Sequence, residues 1–142
     1  MAIHFSSQIS NFELSEPERI KKWIKEVVVR QNFAVGNIGY LFCDDEYILE
    51  KNISFLDHNT YTDIITFDYV QGGLISGDIL ISVDRVRENA EQFGVTFEQE
   101  LHRVIIHGIL HLLGNGDKTD EEAKAMRAKE NEALALLETI EG

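Results

Sequence analysis

Residues 97–117 read FEQELHRVIIHGILHLLGNGD, and this stretch carries the strongest structural and chemical patterns in the chain. Thr96 and Gln99 form a predicted capping box that opens a helix, and Gly114 is placed to end it. Apolar residues occur nearly all round that helix, which is typical of a helix buried at the centre of a domain. We therefore predict a central buried helix around which the rest of the chain packs.

Two histidines lie one turn apart on this helix. His107 and His111 are four residues apart, so both rings project from one face and can reach the same cation. A chain reversal at Gly114 would let the carboxylate of Asp117 fold back onto that ion. Three protein ligands leave a fourth tetrahedral position open for water, which is typical of catalytic zinc sites. We predict one zinc ion at His107, His111 and Asp117, although other divalent transition metals also suit these ligands.

A structural interpretation is available for each of these residues. A histidine in an apolar helix can be a hydrogen-bonded core residue, and Asp117 could simply cap the last helix. Two unpaired imidazoles are harder to explain in this way, because each buried polar group needs a partner. The helix-ending glycine and the correctly spaced acid favour the metal site.

The ligand spacing also matches that of metzincin proteases, in which ligands stand at the fourth and tenth positions after the first histidine. Those proteases place a glutamate directly after the first histidine as the general base. Here that residue is Gly108, which cannot accept a proton. A protease with that mechanism is therefore disfavoured.

The remaining sequence predicts a small sheet and several further helices. The chain is read as one α+β domain over residues 1–142, with a mixed sheet of about four strands and about five helices. The Gly72-Gly73 turn predicts that the last two strands form an antiparallel hairpin. The predicted core faces include Trp23 on the first helix and Ala123 on the last. Strands are predicted at Ile3 to Phe5, Asn37 to Cys43, Ile64 to Tyr69 and Leu74 to Val83, and helix starts at Ser15, Asp44, Asp84, Thr96 and Thr119.

Composition places the chain among ordinary globular proteins, with 44% hydrophobic and 27% charged residues. No apolar run approaches the roughly 20 residues that span a bilayer, and the N-terminus lacks the pattern of a signal peptide. The single cysteine, Cys43, lies in an apolar run and is expected to be a core residue rather than a nucleophile. These features predict a cytoplasmic protein without membrane contact.

The net charge of −12 argues against tight, non-specific binding of nucleic acid, since most affinity for phosphates comes from basic residues. A local basic groove is still compatible with this charge. The first predicted helix carries five of the basic residues: Arg19, Lys21, Lys22, Lys25 and Arg30. Glutamates are interspersed among them, so a solvated helix face is the simpler explanation.

The histidine motif resembles that of the YbeY family, bacterial single-strand-specific endoribonucleases that act in ribosomal RNA maturation. The family pattern HGxLHLxGxxH is matched from His107 to Gly114, and its third histidine falls on Asp117. A second family segment, close to LNxxYRxxDxPTDVLSF, is similar to residues 51–67, including Asn59 and Tyr61. The family strand GDIxIS is similar to residues 77–82.

This resemblance implies a zinc-dependent endoribonuclease that processes small-subunit ribosomal RNA during ribosome biogenesis. Single-stranded RNA is the implied partner, with ribosomal subunit proteins as further candidates. An arginine important in the family aligns with Leu56, so its role has no counterpart there. Asp63 is a candidate for orienting the attacking water, and stabilising its own turn is the simpler role. Four residues are candidates for the missing phosphate contact: Lys51, Arg85, Arg87 and Lys118.

Two other functions are compatible with the same residues. One is a metal-dependent hydrolase of peptides or small molecules, which a carboxylate beside the attacking water would favour. The other is a non-catalytic ribosome-assembly factor in which the metal pins the last two helices together. The acidic net charge and Leu56 favour this second alternative.

Overall fold

The computed structural model describes residues 2–56 and 62–141, without the side chains of Phe55 and Leu56. The matches at Asn59 and Tyr61, and the side chain of Leu56, lie outside this description. The α+β prediction is confirmed. In chain order the described elements are β1 (Ala2–Ser7), α1 (Pro17–Arg30), β2 (Ala34–Cys43), α2 (Asp45–Leu56), β3 (Ile64–Asp68), β4 (Leu74–Ser82), α3 (Val83–Phe93), α4 (Phe97–Leu112) and α5 (Asp120–Leu137).

The described strands form a mixed sheet in the order β1-β2-β4-β3. β2 runs parallel to both β1 and β4. β3 and β4 pair in antiparallel register, with Ile64 opposite Ile81, so the predicted hairpin is confirmed. β3 therefore lies at one edge of the sheet, beside the helix that carries the histidines, with which it is in contact.

The main core lies between one sheet face and helices α1, α3, α4 and α5. α4 is buried nearly all round, which confirms the prediction of a central helix. Two side-chain hydrogen bonds to backbone carbonyls join elements of this core, the first between α1 and α5 and the second between β2 and α4. Trp23 Nε1 donates to Ala133 O at 2.7 Å, and Tyr40 Oη donates to Ile105 O at 2.8 Å. The opposite sheet face carries a smaller cluster that includes Ile48 of α2.

The predicted starts of two helices need correction. No Ser15 capping box forms: Glu16 is the N-cap, with φ 52° and no side-chain cap bond. Pro17 follows at the first helical position, where it has no N–H to be capped. Helix α3 is capped by Ser82 rather than Asp84, whose carboxylate instead accepts a hydrogen bond from Asp45 N at 3.0 Å.

The last helix also differs from prediction in its first turn. Ala123 is exposed, because the buried face of α5 begins one turn later, at Met126. The buried residues of α1, by contrast, are the predicted ones, with Trp23 at the centre.

Cys43 is fully buried, and its Sγ donates to Ile81 O at 3.4 Å. Burial, aided by neighbouring carboxylates, raises its pKa to about 12, so the thiol stays protonated at neutral pH. The prediction of a core cysteine is confirmed. Among the described residues, no helix combines the length and apolarity required to cross a membrane.

Candidate metal centre

Helix α4 presents His107 and His111 on one face, as their spacing predicts. The ring centroids are 4.6 Å apart and the rings are nearly perpendicular, at 81°. Nε2 of each histidine lies 3.4 Å from the same atom, Asp117 Oδ2. One ligand atom from each of the three residues lies within 4.8 Å of the other two. The structure thus brings the three predicted ligands together.

Two of the three donor-atom separations are those that a tetrahedral ion requires. Ligands at about 2.0–2.1 Å from a tetrahedral centre are separated by about 3.3 Å. The two histidine-to-Asp117 distances of 3.4 Å match that separation. Two imidazole nitrogens and one carboxylate oxygen are also a known zinc donor set. These residues could therefore hold a divalent metal ion.

The connector after α4 is shaped to aim Asp117 back at the helix. Gly114 adopts φ 99°, which favours glycine and reverses the chain. Asn115 then closes the helix end, because its backbone N and its Nδ2 both donate to Leu110 O at 3.0 Å. Lys129 of α5 donates to Asn115 Oδ1 at 2.5 Å. The connector is thereby fixed to both helices.

Asp117 does not cap the last helix. Thr119 is the N-cap, and its Oγ1 accepts from Glu122 N at 3.1 Å. The Glu122 carboxylate in turn accepts from the backbone N of both Lys118 and Thr119, each at 3.2 Å. A Cβ at Gly116 would lie 2.7 Å from that carboxylate. The predicted capping box is confirmed, and it leaves the Asp117 side chain available to a metal.

Gly108, at the position of the protease glutamate, faces the sheet. A Cβ there would lie 3.0 Å from Ile79 Cδ1 and 3.1 Å from Ile64 Cδ1. The position is buried against these two side chains, and glycine offers no group that could accept a proton. The geometry thus agrees with the sequence in disfavouring the protease mechanism.

Glu130, which sequence reasoning missed, contacts the first histidine. Its Oε2 lies 2.7 Å from His107 Nδ1, and its Oε1 accepts from Arg103 at 2.8 Å. Arg103 also donates to Asn131 Oδ1 at 2.9 Å. A sequence signal existed: Glu130 interrupts the apolar spacing of α5 four residues after Met126. A glutamate on a core-facing position requires a buried partner.

Opposing effects set the protonation of this pair. Burial lowers the pKa of His107, but the hydrogen bond to Glu130 and the nearby carboxylates raise it, and the net shift is upward. Burial raises the pKa of Glu130, but the hydrogen bonds from His107 and Arg103 lower it, and the net shift is downward. Glu130 is therefore an ionised carboxylate at neutral pH.

Asp63 lies outside the three-residue cluster. It precedes β3, its backbone O accepts from Ser82 N at 2.9 Å, and its Oδ2 accepts from Asn89 Nδ2 at 3.4 Å. Burial raises its pKa, while the charge of His107 lowers it, and the net shift is upward. Asp63 and His107 are thus close enough for each charge to shift the pKa of the other group. The hydrogen bonds of Asp63, however, are those of a turn residue. Its catalytic role stays a prediction.

Most candidates for a phosphate contact have other partners. Arg85 pairs with Asp45 at 3.1 Å. Arg87 and Lys51 lie over aromatic rings, at 5.2 and 5.1 Å from the centroids. The exposed side chain of Lys118, beside Asp117, forms no ion pair within the described part of the chain. Of the four candidates, Lys118 is therefore the one with no ion pair or ring contact among the described residues.

Known proteins resemble this chain over most of its length. The family model described as Endoribonuclease YbeY matches residues 4–138. A Porphyromonas gingivalis protein named Endoribonuclease YbeY is 58% identical over 122 residues, covering 85% of this chain and 81% of that protein. Its namesake from Bacteroides thetaiotaomicron is 48% identical over 136 residues, covering 96% and 99%. A solution structure of TM1509 from Thermotoga maritima matches with TM-score 0.66 and 28% identity, covering 96% of this chain and 89% of that one.

Proposed function

The chain belongs to the YbeY endoribonuclease family, and on that premise we propose that it is a zinc-dependent hydrolase of single-stranded RNA. The observation that carries the proposal is the convergence of His107 and His111 on the Asp117 carboxylate, at 3.4 Å each. We assign the activity to small-subunit ribosomal RNA maturation on the ribosomal subunit in the cytoplasm. The family relation supports this substrate, and the three side chains support the metal.

The donor set favours zinc over the alternatives by its chemistry. Two imidazoles and one carboxylate suit zinc, while harder ions such as Mg²⁺ prefer oxygen alone. When bound, the ion would act as a Lewis acid on a phosphate oxygen and would lower the pKa of water towards about 7. His107 and His111 offer Nε2 to it, and Asp117 adds one negative charge that offsets part of the ion's charge.

Lys118 is proposed to contact the RNA backbone near the reacting phosphate. It follows Asp117 directly in the connector, and its side chain is exposed. A phosphodiester approaching an acidic protein needs a local cation, and one lysine supplies a single such contact. Lys118 would thereby provide a phosphate contact that Leu56 cannot, although it stands at a different position.

The two alternative functions receive less support. The junction of the last two helices is held by side-chain contacts that need no metal, between Arg103 and Glu130 and between Lys129 and Asn115. A metal whose main purpose is to pin these helices would therefore be redundant. Hydrolysis of peptides is disfavoured because Gly108 cannot provide the general base and is packed against the sheet.

The decisive experiment couples metal analysis of the purified protein to an RNA cleavage assay. We expect about one zinc per chain, cleavage of single-stranded but not double-stranded RNA, loss of cleavage after chelation, and recovery on zinc addition. A zinc-loaded protein that leaves single-stranded RNA intact would contradict the proposal and favour the assembly factor. Cleavage of peptides in place of RNA would favour the other alternative.

Substitution of Asp117 tests the third ligand. Asp117→Asn should weaken zinc binding by at least about tenfold, because a neutral amide oxygen replaces an ionised donor. Asp117→His, which matches the family pattern, should retain zinc because imidazole is also a good ligand. Isothermal titration on metal-free protein would measure both affinities. Asp120→Asn, an exposed acid in the first turn of α5, is the matched control. Unchanged affinity in Asp117→Asn would show that Asp117 is not a ligand.

A further inference from the structure

A buried ion pair lies directly behind the first metal-binding histidine. Glu130 is 6% exposed, and each of its carboxylate oxygens has a partner. Oε1 accepts from Arg103 at 2.8 Å, and Oε2 lies 2.7 Å from His107 Nδ1. Burying an ionised carboxylate costs several kcal/mol unless it is fully paired, and an apolar residue at this position would often be at least as stabilising. Core packing alone therefore does not account for Glu130.

We propose that Arg103 and Glu130 form a positioning pair that fixes the tautomer of His107, a role that rests on the metal site proposed above. An arginine side chain can only donate hydrogen bonds, and an ionised carboxylate can only accept them. Glu130 must therefore accept from an N–H at His107 Nδ1. With its proton on Nδ1, a neutral imidazole keeps the lone pair of Nε2 free. Nε2 is the atom that faces Asp117.

Helices α4 and α5 together set the geometry of this pair. Arg103 and His107 are one turn apart on the same face of α4, so a single carboxylate from α5 can bridge both. Asn131 of α5 accepts from the second terminal nitrogen of Arg103 and so helps to orient the guanidinium. His111 has no comparable partner: within the described ranges, its only carboxylate contact is Asp117. The fold thus fixes the orientation of the His107 ring without a bound metal ion.

Glu130→Gln should invert the tautomer rather than merely loosen the ring. In this variant Arg103 would donate to the oxygen of the new side-chain amide, because a guanidinium has no acceptor for the amide NH₂ group. The NH₂ group would then face His107 Nδ1, which would have to accept. The imidazole proton would move to Nε2 and block the atom that binds the ion. The substitution changes few atoms, so shape and volume are nearly conserved.

The tautomer can be read directly by long-range ¹H–¹⁵N NMR of metal-free protein, at an alkaline pH where His107 is neutral. His107→Ala would identify the signals of that ring. We expect Nδ1–H in the wild type and Nε2–H in Glu130→Gln, together with zinc affinity lowered by about 10–100-fold in the variant. Glu132→Gln, an exposed position two residues along α5, should change neither measurement.

Several results would overturn the positioning role. One is an Nε2–H tautomer in the wild type, which is measured without Glu130→Gln and so decides the question even if that variant fails to fold. Another is a folded Glu130→Gln protein that keeps Nδ1–H or the wild-type zinc affinity. These readouts are separate from RNA cleavage. A protein with the expected tautomers that binds zinc but leaves RNA intact would contradict the proposed function alone.

Discussion

Replacing His111 with alanine is expected to remove stoichiometric zinc and to abolish metal-dependent RNA cleavage, while the chain still folds. An open site has few ligands, and losing one of three should cost more than about 100-fold in affinity, since losing even an outer partner of a ligand costs about 10–100-fold. The His111 side chain is 28% exposed and lies outside the hydrophobic core cluster, so its removal should cost less stability than a core truncation. Alanine also favours the helix.

The measurement is zinc content after dialysis, together with thermal unfolding of the metal-free wild type and variant. His4→Ala is the matched control, because His4 is an exposed histidine on β1 and outside the cluster. The control should keep its zinc and its cleavage activity. Stoichiometric zinc in His111→Ala would contradict the site. Unfolding of both the variant and the metal-free wild type would instead indicate a structural metal and favour the assembly factor.

Local sequence rules account for the parts of the fold that were predicted correctly. The capping boxes at Thr96 and Thr119 join residues three apart, so a short motif specifies them. The parallel pairing of β2 with both β1 and β4 was not predictable, because it joins segments far apart in the chain. The cap of α3 shows a similar limit. Asp84 has the chemistry of a cap, but it serves α2 instead, and that contact exists only in the folded chain.

The metal site likewise contains residues that local sequence rules predict and one that they do not. His107 and His111 are set by helical spacing, and Asp117 by the chain reversal at Gly114, three residues before it, so all three were predictable. Glu130 lies 23 residues from His107, on another helix. Its position on the apolar face of α5 could have predicted a buried partner. Which cation or imidazole it would meet depends on how α5 packs against α4, and periodicity carries no information about that.

Gly77→Ala should lower the free energy of unfolding by roughly 2 kcal/mol or more. A Cβ at this position in β4 would lie 2.5 Å from the backbone carbonyl oxygen of Phe67 and 3.1 Å from a methyl group of Leu112. Because the nearest atom is backbone, β3 must move away from β4 to make room. Alanine restricts the unfolded chain and recovers about 0.5–1 kcal/mol, which is less than the cost of the clash.

A shift of Leu112 or β3 in Gly77→Ala would also be expected to disturb the neighbouring metal site. Leu112 follows His111 on α4, and β3 packs on the same helix through Ile64. Urea unfolding of metal-free protein would measure the stability, and zinc titration would measure the site. Gly73→Ala is the matched control, because its Cβ would meet no atom within 4 Å and its φ is not positive, so its stability should stay within about 0.5 kcal/mol of the wild type. If Gly77→Ala is equally harmless, β3 and β4 can separate at little cost, and the contact with Phe67 does not limit their spacing.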